Sequence, residues 1–443
     1  MIKNVPINQF LGNSMRKSIA LIIASLTQIS FGAPTYIENP LSCKNVDVPS
    51  DRELREIVIG QDNWLYHRST FNDMPTFSGD AWNGLDHFVH ILSKKDIKLF
   101  IVPIPSKPSA IPSPIKYDPS NELENYIVFL SHLSKYNVGF VDLMSLSSKN
   151  DQLLSQENYY SHSDTHWTAH GARISAELVA REMLRSSQYD KIFQNLNFTT
   201  VKSSSRLDTG NLSSIINKKC EEKWESERFE EYATTESGIA GSELLSDLES
   251  PITLIGTSFS DNRRFNFAGF LSEFLRTRVL PANKSGGSIF GAMHDFLVDP
   301  NTNLPETKII IWEFPVYYST KTSSEFAQLS GDLLGKCRNN LYDSSIKPNK
   351  ATVISPTTGN FNYFTIVFSD PLFNRFNLSI KYKDETTEDL VIDRANSTLK
   401  TSDTQFNFYP TKSINRNIDS LSIIPSGHWN KEINAAVYFC KEN

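Results

Sequence analysis

Two short segments hold residue types that can perform nucleophilic chemistry together. One is Ser163-Asp164-Thr165-His166-Trp167-Thr168; the other is Leu254-Ile255-Gly256-Thr257-Ser258-Phe259-Ser260-Asp261, an apolar run ending in small residues. A serine hydroxyl attacks a carbonyl near neutral pH only with a base beside it, usually a histidine whose other nitrogen a carboxylate holds. Asp164 and His166 lie two positions apart, so one turn can present both. Ser258, at the carboxyl end of a strand, can face a cleft where backbone N–H groups receive an oxyanion. Gly256-Thr-Ser258 is not the Gly-x-Ser-x-Gly elbow of the α/β-hydrolases, and alone it equally describes a serine capping the next helix. Histidines 162, 166 and 170, four apart, suggest a metal-binding helix face, but Asp164 and the Ser-His-Ser context argue against one continuous helix. The expectation is no metal and no cofactor.

Elements that must position these groups follow from hydrophobic periodicity. Between about residues 50 and 340, short apolar strands alternate with amphipathic helices. Strands are expected at 97–104, 140–143, 252–255 and 308–312, and helices at 126–135, 169–185 and 267–276. That alternation predicts an α/β domain with a largely parallel sheet. The polar stretch 220–249 reads as a surface excursion. Beyond about residue 345 the period falls to two: Phe376, Leu378, Ile380 and Tyr382 alternate with Asn377, Ser379, Lys381 and Lys383. Turn residues around Gly359 and Gly427 separate such runs, which predicts an all-β sandwich over 346–443.

The chain has 443 residues, 39% hydrophobic and 21% charged, which implies at least two packed domains. Its formal charge of -6 carries no basic block, which argues against a nucleic-acid partner. Arg16 and Lys17 before the apolar run 19–26, with Ser30 and Gly32 preceding a plausible cut, read as an export signal over 1–32; the true start is Met1 or Met15. Its removal takes three basic residues and no acid, so the exported chain is more acidic, and a polyanionic partner has to be held by local cations and aromatic faces. The even set Cys43, Cys220, Cys337 and Cys440 suggests two disulfides in an oxidising compartment. Pairing within each domain, Cys43 with Cys220 and Cys337 with Cys440, follows from the domain reading and not from the spacing.

Taken together, these segments resemble the AlgX/AlgJ-type O-acetyltransferases of alginate acetylation, an SGNH hydrolase-like family. The resemblance runs over residues 50–320 through Gly60-Gln-Asp-Asn-Trp64-Leu65-Tyr66, Pro103-Ile-Pro-Ser-Lys107, Asp164-Thr-His166-Trp167-Thr168 with Gly171-Ala172, Gly256-Thr-Ser258-Phe-Ser260 with Asn266-Phe267, and Trp312-Glu313-Phe-Pro315. Acid and base precede the nucleophile, as in the permuted topology of that family, and the C-terminal β module is closer to its AlgX branch. Tyr66, Asn63 and Phe259 depart from the family's usual Phe, Gly and Tyr.

The resemblance implies an SGNH-like domain over 33–345 and a carbohydrate-binding sandwich after it. Carried over, Ser258 is the nucleophile, His166 the base and Asp164 its orienting acid, with Asn266 a candidate for the oxyanion. Candidates for substrate binding are Lys107 and Trp64 in the first domain and Arg394, Lys400, Tyr409 and Trp429 in the second. The implied activity is transfer of an acetyl group, through an acetyl-serine, onto an exopolysaccharide, foremost alginate, in the periplasm. The implied partners are the anionic polysaccharide, a membrane acyltransferase system that supplies the acetyl group, and secretion-complex proteins. An acetylesterase with the same triad and a non-catalytic polysaccharide-binding scaffold are the alternatives.

Overall fold

The computed structural model describes residues 41–144, 159–220, 223–237, 249–302, 304–394, 404–426 and 429–442. The expected leader, residues 1–32, and Lys400 lie outside them. The chain opens on a short antiparallel pair, β1 (Ile57–Ile59) and β2 (Leu65–His67), followed by α1 (Ala81–Lys94), β3 (Lys98–Ile104), α2 (Ser120–Leu133) and β4 (Val138–Phe140). Next come α3 (Ala169–Met183), β5 (Phe198–Asp208), α4 (Asn211–Lys219), β6 (Glu227–Glu236) and β7 (Ile252–Ile255), then α5 (Phe267–Leu275), β8 (Val279–Pro281), α6 (Gly291–Val298), β9 (Ile309–Pro315) and α7 (Ser324–Leu334).

Five of these strands form one sheet, in the order β4-β3-β9-β7-β8, with every pairing parallel. Helices cover both of its faces, so the strands read as nearly unbroken apolar runs; all seven residues of β9 are buried. Successive side chains serve opposite cores. Ile309 and Ile311 join Phe267, Phe270 and Leu271 of α5 and Ala176 and Val179 of α3, while Ile310 and Trp312 join Leu85 and Phe88 of α1, Phe129 of α2 and Leu329 of α7.

The expected helices and the strands β3, β7 and β9 are present with shifted ends, α2 starting six residues before the expected helix and β9 running on to Pro315; the strand expected at 140–143 is instead β4 at 138–140, sharing only Phe140, and β8 was not expected. The stretch 220–249 needs correction. It contains β6, which pairs antiparallel with β5 in a two-stranded ribbon separate from the main sheet. Most of the residues of both strands are exposed or half-buried, so neither offers the apolar alternation that marks a strand.

The C-terminal region is a sandwich of two antiparallel four-stranded sheets. One has the order β10-β17-β12-β15, from β10 (Leu341–Ile346), β12 (Tyr363–Phe368), β15 (Gln405–Phe408) and β17 (Ile433–Cys440); the other is β11-β16-β13-β14, from β11 (Thr352–Ile354), β13 (Arg375–Tyr382), β14 (Thr387–Asp393) and β16 (Ile418–Pro425). Phe376, Leu378, Ile380 and Tyr382 of β13 all face the core, as their alternation requires. The first strand of the sandwich begins at Leu341, ahead of the expected border at 346.

Helix α7 joins the two halves. Tyr409 N–H donates to Ala327 O at 2.9 Å, Val391 N–H to Ser324 Oγ at 3.0 Å and Asn407 Nδ2 to Asp332 Oδ1 at 2.9 Å. Gly331 permits the approach, because a Cβ there would lie 2.4 Å from Phe408 N. The disulfides are Cys43–Cys220, which ties the start of the described chain to the end of α4, and Cys337–Cys440, which closes the sandwich onto its last strand.

Candidate active site

Strand β7 ends at Ile255, and the chain turns at Gly256 into a one-turn helix, Ser258–Asp261, that leaves Ser258 half-buried at the carboxyl edge of the sheet. Glu313 of β9, fully buried, fixes that turn. Its carboxylate accepts from Thr257 N–H and Thr257 Oγ1, both at 2.9 Å, and from Ser260 Oγ at 2.7 Å. Burial raises the Glu313 carboxyl to about 7. A Cβ at position 256 would sit 2.5 Å from Glu313 Oε2, which is why the turn takes glycine.

Asp164 and His166 stand on a loop pinched shut by a bridge between Tyr160 and Trp167. Trp167 Nε1 donates to Phe259 O at 3.0 Å, so this loop is latched to the serine turn. His166 Nδ1 then lies 2.6 Å from Asp164 Oδ1, and His166 Nε2 lies 2.7 Å from Ser258 Oγ. Asp164 is 2% exposed. Its other oxygen accepts from Asn211 N–H at 3.0 Å, at the amino end of α4, and from Arg264 at 3.1 Å. Burial alone would raise this carboxyl, but the hydrogen bonds and charges of His166, Asn211 and Arg264 outweigh it and hold it well below the usual carboxylate range. An ionised acid on one imidazole nitrogen and a hydroxyl on the other is an arrangement able to remove the hydroxyl proton.

Two further carboxylates hold the neighbouring loops. Glu227 of β6 accepts from the hydroxyls of Ser161 and Ser163 and from the backbone N–H groups of His162 and Ser163, both at 3.0 Å. Glu122 of α2 accepts from Ser106 N–H at 3.2 Å and Ser106 Oγ at 2.7 Å. None of Glu122, Glu227, Asn211 and Arg264 is distinguished by the sequence. Glu313 left a signal, a lone acid inside the apolar strand IIIWEFP.

Several sequence candidates require correction. Lys107 is 2% exposed, with its ammonium donating to three carbonyls, those of Leu65, His162 at 3.2 Å and Asp164 at 2.9 Å; its donors are used inside the protein, so it braces the acid loop and does not meet a uronate. Burial lowers this ammonium to about 7. Trp64 is buried and stacked on His162 with ring centroids 3.8 Å apart, a core residue and not a sugar platform. Asn266 starts α5 in the left-handed conformation at φ 51° and gives its amide to Thr234 Oγ1 at 2.9 Å, which leaves it turned to the ribbon and not to an oxyanion. Tyr409 is buried at the junction of the halves, with its hydroxyl 2.6 Å from Glu442 Oε2 and its ring against His87. Arg394 donates to Gln328 Oε1 at 2.9 Å and Gln405 O at 3.1 Å and lines a cleft of about 600 Å³ between the halves. Trp429 is half-buried edge-on to Phe373, with Lys431 Nζ 5.4 Å from its ring centre.

A parallel sheet with both faces covered and a Ser–His–Asp hydrogen-bond chain at its carboxyl edge fits the SGNH hydrolase-like class. The family described as SGNH hydrolase-like domain, acetyltransferase AlgX, matches residues 57–316. The chain belongs to that family. It is 26% identical over 409 residues to the alginate biosynthesis protein AlgX of Pseudomonas fluorescens, covering 85% of this chain and 82% of that one. It is 25% identical over 296 residues to the probable alginate O-acetylase AlgJ of Pseudomonas aeruginosa, covering 64% and 75%. The solved structure of Pseudomonas aeruginosa AlgX superposes with a TM-score of 0.67 at 22% identity, over 89% of this chain and 97% of that one. The O-acetyltransferase domain of Pseudomonas putida AlgJ gives 0.51 at 21% identity, over 62% and 98%.

Proposed function

We propose that this protein is an exported polysaccharide O-acetyltransferase that acetylates hydroxyls of alginate, with Ser258 as nucleophile, His166 as base and Asp164 as orienting acid. The hydrogen-bond chain from Asp164 through His166 to Ser258, at 2.6 and 2.7 Å, carries this reading. Membership in an acetyltransferase family and relatives named for alginate biosynthesis supply the group and the polymer.

In the first half, His166 Nε2 takes the Ser258 hydroxyl proton as Oγ attacks the acetyl carbonyl carbon; the donor's leaving group departs with that proton. In the second, His166 takes the proton of a sugar hydroxyl whose oxygen attacks the acetyl-serine, and Ser258 leaves reprotonated. The proposed donors for the oxyanion are backbone N–H groups at the Ser258 turn. Two disulfides support an oxidising compartment, consistent with export to the periplasm, and among the described residues no helix is long and apolar enough to cross a membrane. The sandwich is the candidate polysaccharide-binding module, and a membrane acyltransferase system is the proposed source of the acetyl group.

The test is acetyl release from a chromogenic acetyl ester by the mature chain, with and without short oligouronates, in wild type and Ser258→Ala. The expected result is loss of ester turnover in the variant and acetylated oligouronate, seen by mass spectrometry, only with wild type. Equal rates in the two proteins would remove Ser258 as nucleophile.

A further inference from the structure

The ribbon β5–β6, which the catalytic chemistry uses only through Glu227, forms one wall of a groove beside the acid and base. Two cavities lie along it, of about 320 and 280 Å³, and both are lined by Tyr232 and Arg264. Arg264 connects this groove to the reacting groups, since its guanidinium holds Asp164 Oδ2 at 3.1 Å and Phe265 next to it packs against the His166 ring at 5.7 Å.

The charges in the groove are unequally satisfied. Its acids are occupied within the protein: Glu227 accepts from the serine and backbone donors of the acid loop, and Glu230 takes Lys202 and the Tyr232 hydroxyl. Its guanidiniums are paired unevenly: Arg206 is bridged to Asp208 and Glu231 and Arg264 to Asp164, but two others are open. Arg263 is exposed and makes no side-chain hydrogen bond or ion pair among the described residues, and Arg228 is exposed with one neutral partner, Ser205 Oγ at 3.2 Å. Arg264 Nε is buried without a hydrogen-bond partner among the described residues, and a buried donor left unpaired is a standing demand for an acceptor. Arg228 and Tyr232 fall on one face of β6, four residues and about 13 Å apart, which sets a planar cation and an aromatic ring along one line. A guanidinium fork matches a carboxylate bidentately, and a half-buried tyrosine offers a ring face to a sugar.

We propose that this groove is an acceptor subsite for a chain of carboxylated sugars, with Arg228 and Arg263 taking ring carboxylates and Tyr232 supporting a ring between them. The proposal rests on the polyuronate-acetylating reading above and extends it to where the acceptor lies. It also answers the charge problem of an acidic protein with an acidic polymer: the field of the whole chain repels the substrate, and local forked cations on the ribbon hold it.

The test uses the mature full chain with Arg228→Ala and Arg263→Ala together, both exposed positions where folding is insensitive. The concentration of a short oligouronate needed for half-maximal acetyl transfer is expected to rise about tenfold, the loss of two solvent-exposed forked ion pairs, and transfer is expected to fall far more than hydrolysis of the chromogenic ester. An oligomer whose carboxyls are reduced to alcohols is expected to be as poor an acceptor for wild type as the native oligomer is for the variant. An unchanged half-maximal concentration, or a reduced oligomer accepted as well as the native one, overturns the subsite and leaves the acyl chemistry of Ser258 intact. If wild type transfers to no uronate, titration of the oligouronate onto Ser258→Ala by calorimetry decides: binding lost on adding the two arginine substitutions supports the groove, and binding retained overturns it.

Discussion

Glu313 stands where an apolar strand gives a carboxylate no water, and it stays because Thr257 and Ser260 surround it with three donors. Its raised proton affinity has a pH signature. Between the ordinary value of 4.5 and about 7, the folded state keeps a proton that the unfolded chain has released, so this residue's contribution to stability falls as pH rises through that window. Glu313→Gln keeps the shape: its amide oxygen in the Oε2 place accepts from Thr257 N–H and Ser260 Oγ, and its NH2 donates to Thr257 Oγ1, which turns from donor to acceptor. The unfolding midpoint of the variant relative to wild type is therefore expected to rise from pH 5 to pH 7, by of order 1–3 kcal/mol in stability. A difference that stays flat across the window would mean Glu313 is ionised throughout. At this scale the groups proposed to react were legible as candidates and their supports were not. Ser258, His166 and Asp164, which the fold brings into one hydrogen-bond chain, stand out as candidates because so few residue types can do such chemistry. Arg264, Asn211 and Glu227 work by meeting Asp164 and its loop from 46 to 100 positions away, which no local pattern encodes.

Among the elements, α4 matters for what its first residues touch. Gly210 N–H donates to Ser163 Oγ at 2.9 Å and Asn211 N–H to Asp164, so the amino end of the helix is fitted against the acid loop. A Cβ at position 210 would lie 2.3 Å from Ser163 O. Gly210→Ala is expected to cost about 1–3 kcal/mol of stability and to lower ester turnover more than an equally destabilising change remote from the loop. Thermal unfolding and turnover measured on the same preparations check this; turnover that falls only in step with stability would show that the fit is not transmitted to His166. Strands β3, β7 and β9 were legible because burial on both faces writes an unbroken apolar run, whereas the short edge strands β4 and β8 were not: the expected strand 140–143 shares only Phe140 with β4, and β8 carries no such run. The β5–β6 ribbon was not, because its backbone pairs while its side chains stay mostly wet.

On the scale of the whole molecule, the two halves share their cores. Tyr409, from the sandwich, packs in the cluster of Phe88 and Leu329, and Ala327 of α7 packs in that of Phe364 and Ile433. Calorimetry of the described fold is expected to show one cooperative transition, not two. Gly331→Ala, which drives a methyl into the backbone of β15, is expected to lower its midpoint by a few degrees. Two resolved transitions in the wild type would overturn the shared-core account. The two-domain texture was readable from the change of period near residue 345, but the docking of α7 was not, since Ser324, Gly331 and Asp332 look like ordinary polar and small helix residues until β14 and β15 meet them.

That shared helix limits how such a protein can be reassembled from parts. A recombination event, or a designer, that cuts at the visible change of texture keeps α7 on one side and discards what it was folded against. The exchangeable unit is the sandwich with α7 attached, and any catalytic sheet that receives it must offer Phe326 and Leu329 an apolar seat like the one formed here by Phe88 and Trp312. Hybrids joined before residue 323 are expected to stay soluble where those joined after 340 precipitate.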